Sequence, residues 1–206
     1  MNVWDAIRAE RAALAEALAQ LPAEAWDQPS LCAEWKVRDV VGHLIATAQL
    51  TPPAFVGRMI SHGFRFPAMV ADGVRRVTTG RSDAELVALY RSLVDTRTAP
   101  PGPATSWLGE TIVHGEDVFR AFGRYRDHSP EHLAAVAGFY AGSNLLIGAK
   151  NRVSGVRLEA TDAGWTHGTG PNAAGPAVAL IMAMTGRKVA LDDLTGPGVA
   201  ILRDRT

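Results

Sequence analysis

Trp107-Leu-Gly-Glu110-Thr-Ile-Val-His114-Gly-Glu-Asp117-Val-Phe119 lies near the middle of a 206-residue chain, and its reading decides the fold. Glu110 and His114 stand four residues apart. On an α-helix such residues lie one above the other on one face, where a carboxylate and an imidazole can both bind one divalent metal. At about 100° per residue, Trp107, Asp117, Val118, Ala121, Phe122 and Tyr125 share that face. Three polar groups therefore ride on a largely apolar stripe. An ionised carboxylate is expensive to bury unless it is paired or coordinates a metal. Spacing alone leaves three readings open: a metal-binding pair, a buried Glu-His hydrogen bond, or a rim facing water.

A second segment narrows the choice. Ser30-Leu-Cys32-Ala-Glu-Trp35-Lys36-Val37-Arg-Asp39-Val-Val-Gly-His43-Leu-Ile reads as a turn followed by a helix that starts near Val37. Val37, Val40, Val41, Leu44, Ile45 and Ala48 form its core stripe. His43 falls about 60° beyond Val40, at the stripe's edge, where a side chain reaches a pocket between helices. Alone, His43 reads first as a satisfied boundary histidine. With Glu110 and His114 it completes a His, Glu, His set, the usual number of protein ligands for a catalytic zinc with one position open.

These residues resemble a family. Ser-x-Cys-x-x-Trp followed by Val-Arg-Asp-Val-Val-Gly-His-Leu is similar to the opening signature of the mycothiol-dependent maleylpyruvate isomerase family, within the DinB-like superfamily. The run from His114 through Gly115, Asp117 and Gly123 is similar to the family's His-Gly-x-Asp segment. The tail resembles the family's C-terminal part in Ala160-Thr-Asp-Ala-Gly-Trp165-Thr-His-Gly-Thr-Gly170-Pro, Gly175-Pro176, Thr185-Gly-Arg187 and Leu194-Thr-Gly-Pro-Gly198. The resemblance spans nearly the whole chain. It implies a mainly α protein with an α+β C-terminal part: a DinB-like four-helix bundle over residues 1–150 and a small α/β domain over 151–206. It implies a divalent metal, zinc first, on His43, Glu110 and His114. It implies mycothiol, a low-molecular-weight thiol, as co-substrate and a small electrophile as substrate, with isomerisation or S-transfer as the outcome. Two positions depart from the pattern. Lys36 replaces a Ser or Thr helix cap, a matter of stability. Glu116 replaces an aromatic residue beside the metal helix and leaves substrate preference open.

Composition sets the outer bounds. Lys+Arg 21 balances Asp+Glu 21, so no basic field for nucleic acid is expected. No apolar run approaches the roughly 20 residues of a membrane span. The single cysteine excludes an internal disulfide framework. Met1-Asn-Val-Trp-Asp-Ala-Ile-Arg8 reads as a mixed-charge helix start rather than a signal peptide. A cytoplasmic protein without nucleic-acid or membrane partners is the expectation; no heptad or exposed stripe speaks to its oligomeric state.

Helices are expected over Asn2 to Gln20, Val37 to about Leu50, a broken stretch from Ala54 to Val77, Ser82 to Val94 behind a capping box, the metal helix to about Phe122, and Ser129 to Ala149. After Asn151, Val156-Arg-Leu-Glu-Ala160 alternates as a strand, with Gly164-Trp-Thr-His-Gly168 as its hairpin partner. Pro176 to Thr185 reads as a buried helix closed by Gly186, and Val199-Ala-Ile-Leu-Arg203 as a last strand.

Two catalytic candidates lie outside the ligand set. Asp117, three residues past His114, is placed to orient a ligand or the substrate, against a bundle salt bridge. Arg187 is placed to hold a substrate carboxylate, against a solvated helix end. Cys32 reads first as a small turn residue and second as a reactive thiol. Two other functions compete with the thiol enzyme: a hydrolase using metal-bound water, and a non-catalytic metal or ligand-binding protein closed by a fourth ligand.

Overall fold

The computed structural model describes residues 1–145 and 147–206. It divides into two compact units, Met1–Arg126 and Asp127–Thr206. The division expected at 150/151 falls inside the second unit, because the helix after Pro130 packs on the helix after Ala177.

In the first unit the apolar periods become six helices: α1 Val3–Leu18, α2 Val37–Ala48, α3 Pro52–Ser61, α4 Phe66–Thr78, α5 Asp83–Ser92 and α6 Ala104–Phe119. Asn2 caps α1 by accepting the Trp4 N–H. Ser82 and Glu85 form the expected capping box at α5. At α2 only half of such a box exists. The Asp39 carboxylate accepts the Lys36 N–H, whereas the Lys36 ammonium, which has no lone pair to offer, turns to Asp27 at 2.9 Å.

Each of α1 and α2 packs on both α5 and α6, so these four helices close around one core. Leu14 and Leu18, Val40, Val41 and Ile45, Leu86 and Tyr90, and Val118 and Phe119 fill it. A further face of α2 carries α4. Gly42 permits that approach, since a Cβ there would lie 2.6 Å from Thr78 Cγ2. Pro52 and Pro53 occupy the first turn of α3, where a missing N–H is harmless. None of the α3 residues is buried.

The second unit holds α7 Pro130–Gly142, α8 Ala149–Arg152, β1 Arg157–Ala160, β2 Thr166–His167, β3 Asn172–Gly175, α9 Ala177–Met184 and α10 Gly198–Arg205. The sheet order is β2-β1-β3. β1 pairs antiparallel with β2 (Leu158 opposite His167) and parallel with β3 (Leu158 opposite Ala173). Every residue of α9 is buried. The expected mainly α chain with an α+β C-terminal part is what forms, and no described helix is long and apolar enough to cross a membrane.

Four boundaries differ from expectation. Val199–Arg203 is helical, not a strand: Pro197 and Gly198 open α10, and only Gly198 and Leu202, one helical turn apart, are buried. Five apolar-leaning residues fit either period, and the turn residues before them favour a helix start. α7 ends at Gly142 rather than Ala149; Leu146, within the expected span, lies outside the described residues. β3 was unforeseen, because Asn-Ala-Ala-Gly carries no alternation. α6 stops at Phe119 and tightens into a 3-10 turn over Arg120–Phe122, closed by Gly123 at φ 66°. Ala121, Phe122 and Tyr125 thus fall outside α6, and Phe122 and Tyr125 are exposed.

Two substitutions rank these contributions. Ile45→Ala, at a fully buried core position, is expected to destabilise the protein by about 2–5 kcal/mol. Ser82→Ala, which removes a cap, should cost about 1 kcal/mol. Chemical denaturation followed by tryptophan fluorescence checks the order; equal losses would contradict this account of the core.

Candidate metal and thiol site

α2 and α6 pack side by side, and their facing edges carry the predicted donors. His43 Nε2 lies 3.5 Å from Glu110 Oε1. The His43 and His114 rings meet edge-on with centroids 4.9 Å apart. His114 Nδ1–H donates to Asp117 Oδ2 at 2.9 Å. The structure thus gathers all four first-unit residues that the sequence singled out. The donors are not sealed in: the His43, Glu110 and His114 side chains keep 15, 18 and 16 % exposure, while Asp117 keeps none. Arg187, in the second unit, donates from Nη1 to the Thr185 carbonyl at 2.8 Å.

The turn before α2 adds residues that sequence reasoning undervalued. Ser30 Oγ donates to the Trp35 carbonyl at 2.8 Å and accepts the Cys32 N–H at 3.1 Å. The Leu31 N–H donates to the Asp117 carbonyl at 2.9 Å and ties the turn to α6. Glu34 adopts φ 68°, a left-handed conformation disfavoured for residues with a Cβ. The turn so built sets Trp35 against His43 and His114, at 5.0 and 6.2 Å between ring centroids. It also brings Cys32 to His114. Among the described residues, one set of three potential metal donors has its ligand atoms all within 4.8 Å of one another: Cys32 Sγ, a ring nitrogen of His114 and a carboxylate oxygen of Asp117. His43, Glu110 and His114 adjoin pairwise but do not form so tight a set. The Ser-x-Cys-x-x-Trp spacing carried this signal, yet only the fold reveals which helix the thiol meets.

Electrostatics separate the two histidines. Burial, reinforced by the neighbouring His114, pushes His43 down to about 3, so its ring stays neutral with a lone pair to give. Burial also lowers His114, but hydrogen bonds to Asp117 and Cys32 and the charges of Asp117 and Glu110 outweigh it, leaving His114 pushed up to about 9. Burial raises Glu110, against the opposing pull of His114, a Thr47 hydrogen bond and Arg11. A carboxylate so held lacks full compensation, and a cation between it and the two imidazoles would supply it. Two imidazoles and a carboxylate with an opening to solvent are a suitable donor set for a divalent metal. Glu116 takes no part: it is fully buried and pairs with Arg120.

Comparisons with known proteins bear on the family and the fold. Residues 7–101 match the family model described as the mycothiol maleylpyruvate isomerase N-terminal domain. The family resemblance read from the sequence is thus borne out in that segment, which contains Cys32, Trp35 and His43. No curated protein matches the chain. Two solved structures share its fold: the mycothiol-dependent maleylpyruvate isomerase and a histidine-to-alanine mutant of it. Each has a TM-score of 0.65 and 12 % identity, over 95 % of this chain and 91 % of the other.

The opposed shifts have consistent signs for stability in the metal-free protein. An unfolded histidine takes its proton near 6.5, whereas folded His43 refuses it until about 3, so His43 withdraws stability as pH falls below 6.5. His114 contributes stability that is complete below 6.5 and lost as pH rises through about 9. Histidine NMR of the metal-free protein should show one ring titrating near 9 and another silent down to about 4, with Asp117→Asn moving the first toward its ordinary value. His43 and His114 titrating together near 6.5 would refute the assignment.

Proposed function

We propose that this chain is a divalent-metal enzyme that uses mycothiol as thiol co-substrate for isomerisation or S-transfer on a small electrophile. The observation that carries the reading is the meeting of His43, Glu110 and His114 at the α2–α6 contact, each partly open to solvent. The match of residues 7–101 to the isomerase N-terminal domain supports the thiol, and the shared fold extends that support along the chain.

A bound divalent ion with a free position would stabilise an incoming thiolate by lowering the pKa of its thiol. His43, kept neutral by burial, offers its lone pair without first losing a proton. Glu110 supplies one negative charge, so a dication held with two neutral imidazoles would keep a net positive charge for an incoming thiolate. Asp117 accepts the Nδ1 proton of His114 and so turns Nε2 outward, the arrangement that orients metal-bound histidines. Trp35 packs against the two rings and forms part of the wall beside them. The co-substrate is the nucleophile, so no protein side chain need attack. Addition of its sulfur to a cis double bond permits rotation, and elimination returns the thiol with a trans product. Where nothing is eliminated, an S-conjugate remains. Zinc is the first choice for a His, His, carboxylate set. Arg187 is the candidate for a substrate carboxylate, since a guanidinium binds one through two hydrogen bonds.

Elemental mass spectrometry of the purified protein is the direct test. Near one equivalent of divalent metal is expected in the parent, with loss in His43→Ala and Glu110→Ala. A parent that stays metal-free after incubation with zinc would end the enzyme reading and leave a structural or binding protein. Because His114 must shed its Nε2 proton to bind, zinc affinity should rise from about pH 7 to about pH 9. Turnover without added thiol would favour a hydrolase.

A further inference from the structure

The N/O donor set expected from the sequence leaves out the one sulfur in reach. Cys32 Sγ, a His114 ring nitrogen and an Asp117 oxygen converge within 4.8 Å of one another. Around zinc, a thiolate sits at about 2.3 Å and an imidazole nitrogen at about 2.0 Å, so ligand atoms stand roughly 3–4 Å apart. The turn that presents the thiol is heavily determined: Ser30 Oγ bridges Cys32 N–H and the Trp35 carbonyl, Leu31 N–H is anchored on the Asp117 carbonyl, and Glu34 sits in the left-handed region. Backbone strain of this sort persists where surrounding contacts hold a functional group in place. The thiol is neither sealed in nor fully exposed.

We propose that Cys32 is itself a ligand of the metal ion, so that the centre has a sulfur donor beside its nitrogen and oxygen donors. The assignment rests on the metal reading given above. It has two consequences. A thiolate ligand selects zinc or cobalt over magnesium and manganese, which prefer oxygen donors. It also adds negative charge at the ion, so a further anionic ligand is held less tightly than on a site with only His43, Glu110 and His114.

Cobalt(II), added alone to the metal-free full-length protein in thiol-free buffer, tests this without any activity assay. Cys32 is the only cysteine, so no other thiolate of the chain can bind the ion. The expected result is stoichiometric cobalt with an intense near-ultraviolet thiolate-to-cobalt charge-transfer band. In Cys32→Ser the band should vanish while cobalt binding persists with weaker affinity. Stoichiometric cobalt without the band in the parent would overturn the assignment and leave the metal reading standing. No cobalt in the parent, measured by elemental analysis, would overturn both. The parent spectrum decides even where the variant fails to fold. Excess magnesium should not displace the cobalt; displacement would also count against a sulfur ligand.

Discussion

The hydrogen bond from His114 Nδ1–H to Asp117 Oδ2 is the contact on which the site depends. Asp117 is wholly buried, and a carboxylate with no water must be paired or neutralised. One turn of α6 separates the two residues, so the pair is local and forms whenever the helix forms. The same residue's carbonyl accepts the Leu31 N–H and fastens the turn before α2. Through one residue, α6 therefore sets both the orientation of an imidazole and the position of the segment bearing Cys32 and Trp35.

A single low-polarity contact acts differently on neighbouring groups. Burial alone would keep both histidines neutral. His43 has no anion strong enough to oppose that, whereas His114 has Asp117 below it and Glu110 one turn away. Glu110 in turn lies within the field of Arg11, whose guanidinium is fixed by the Thr96 carbonyl at 3.0 Å. In the same unit, the Glu10 carboxylate and the Arg126 guanidinium are 3.8 Å apart and almost completely buried. The interior of the first unit thus carries several buried charges, and its apolar core must offset their desolvation.

Much of the helical architecture was legible because its signals are local. Asn2 and Ser82 mark helix starts through side-chain oxygens that accept N–H groups two or three residues on. The stripe from Val37 to Ala48 marks a buried face by periodicity alone, and it placed His43 at that face's edge. The misreadings come from segments whose local signals are degenerate. Val199–Arg203 suits either period, and β3 is defined only by its pairing with β1. Ser129 carries the residue type of a cap yet makes no capping hydrogen bond with its side chain.

By itself the sequence determined which groups share a helix face: Glu110, His114 and Asp117 at intervals of four and three, because an α-helix has one period and the spacing lies within one element. It also determined that His43 sits at the margin of an apolar stripe. Only the tertiary structure decided that α2 and α6 face each other, that the two histidines are pulled to opposite protonation behaviour, and that Cys32 lies against His114 rather than idling in a turn. Those outcomes depend on distances between residues about 65 to 85 positions apart, set by how whole helices pack, and the short-range periodicity of a chain carries no record of them.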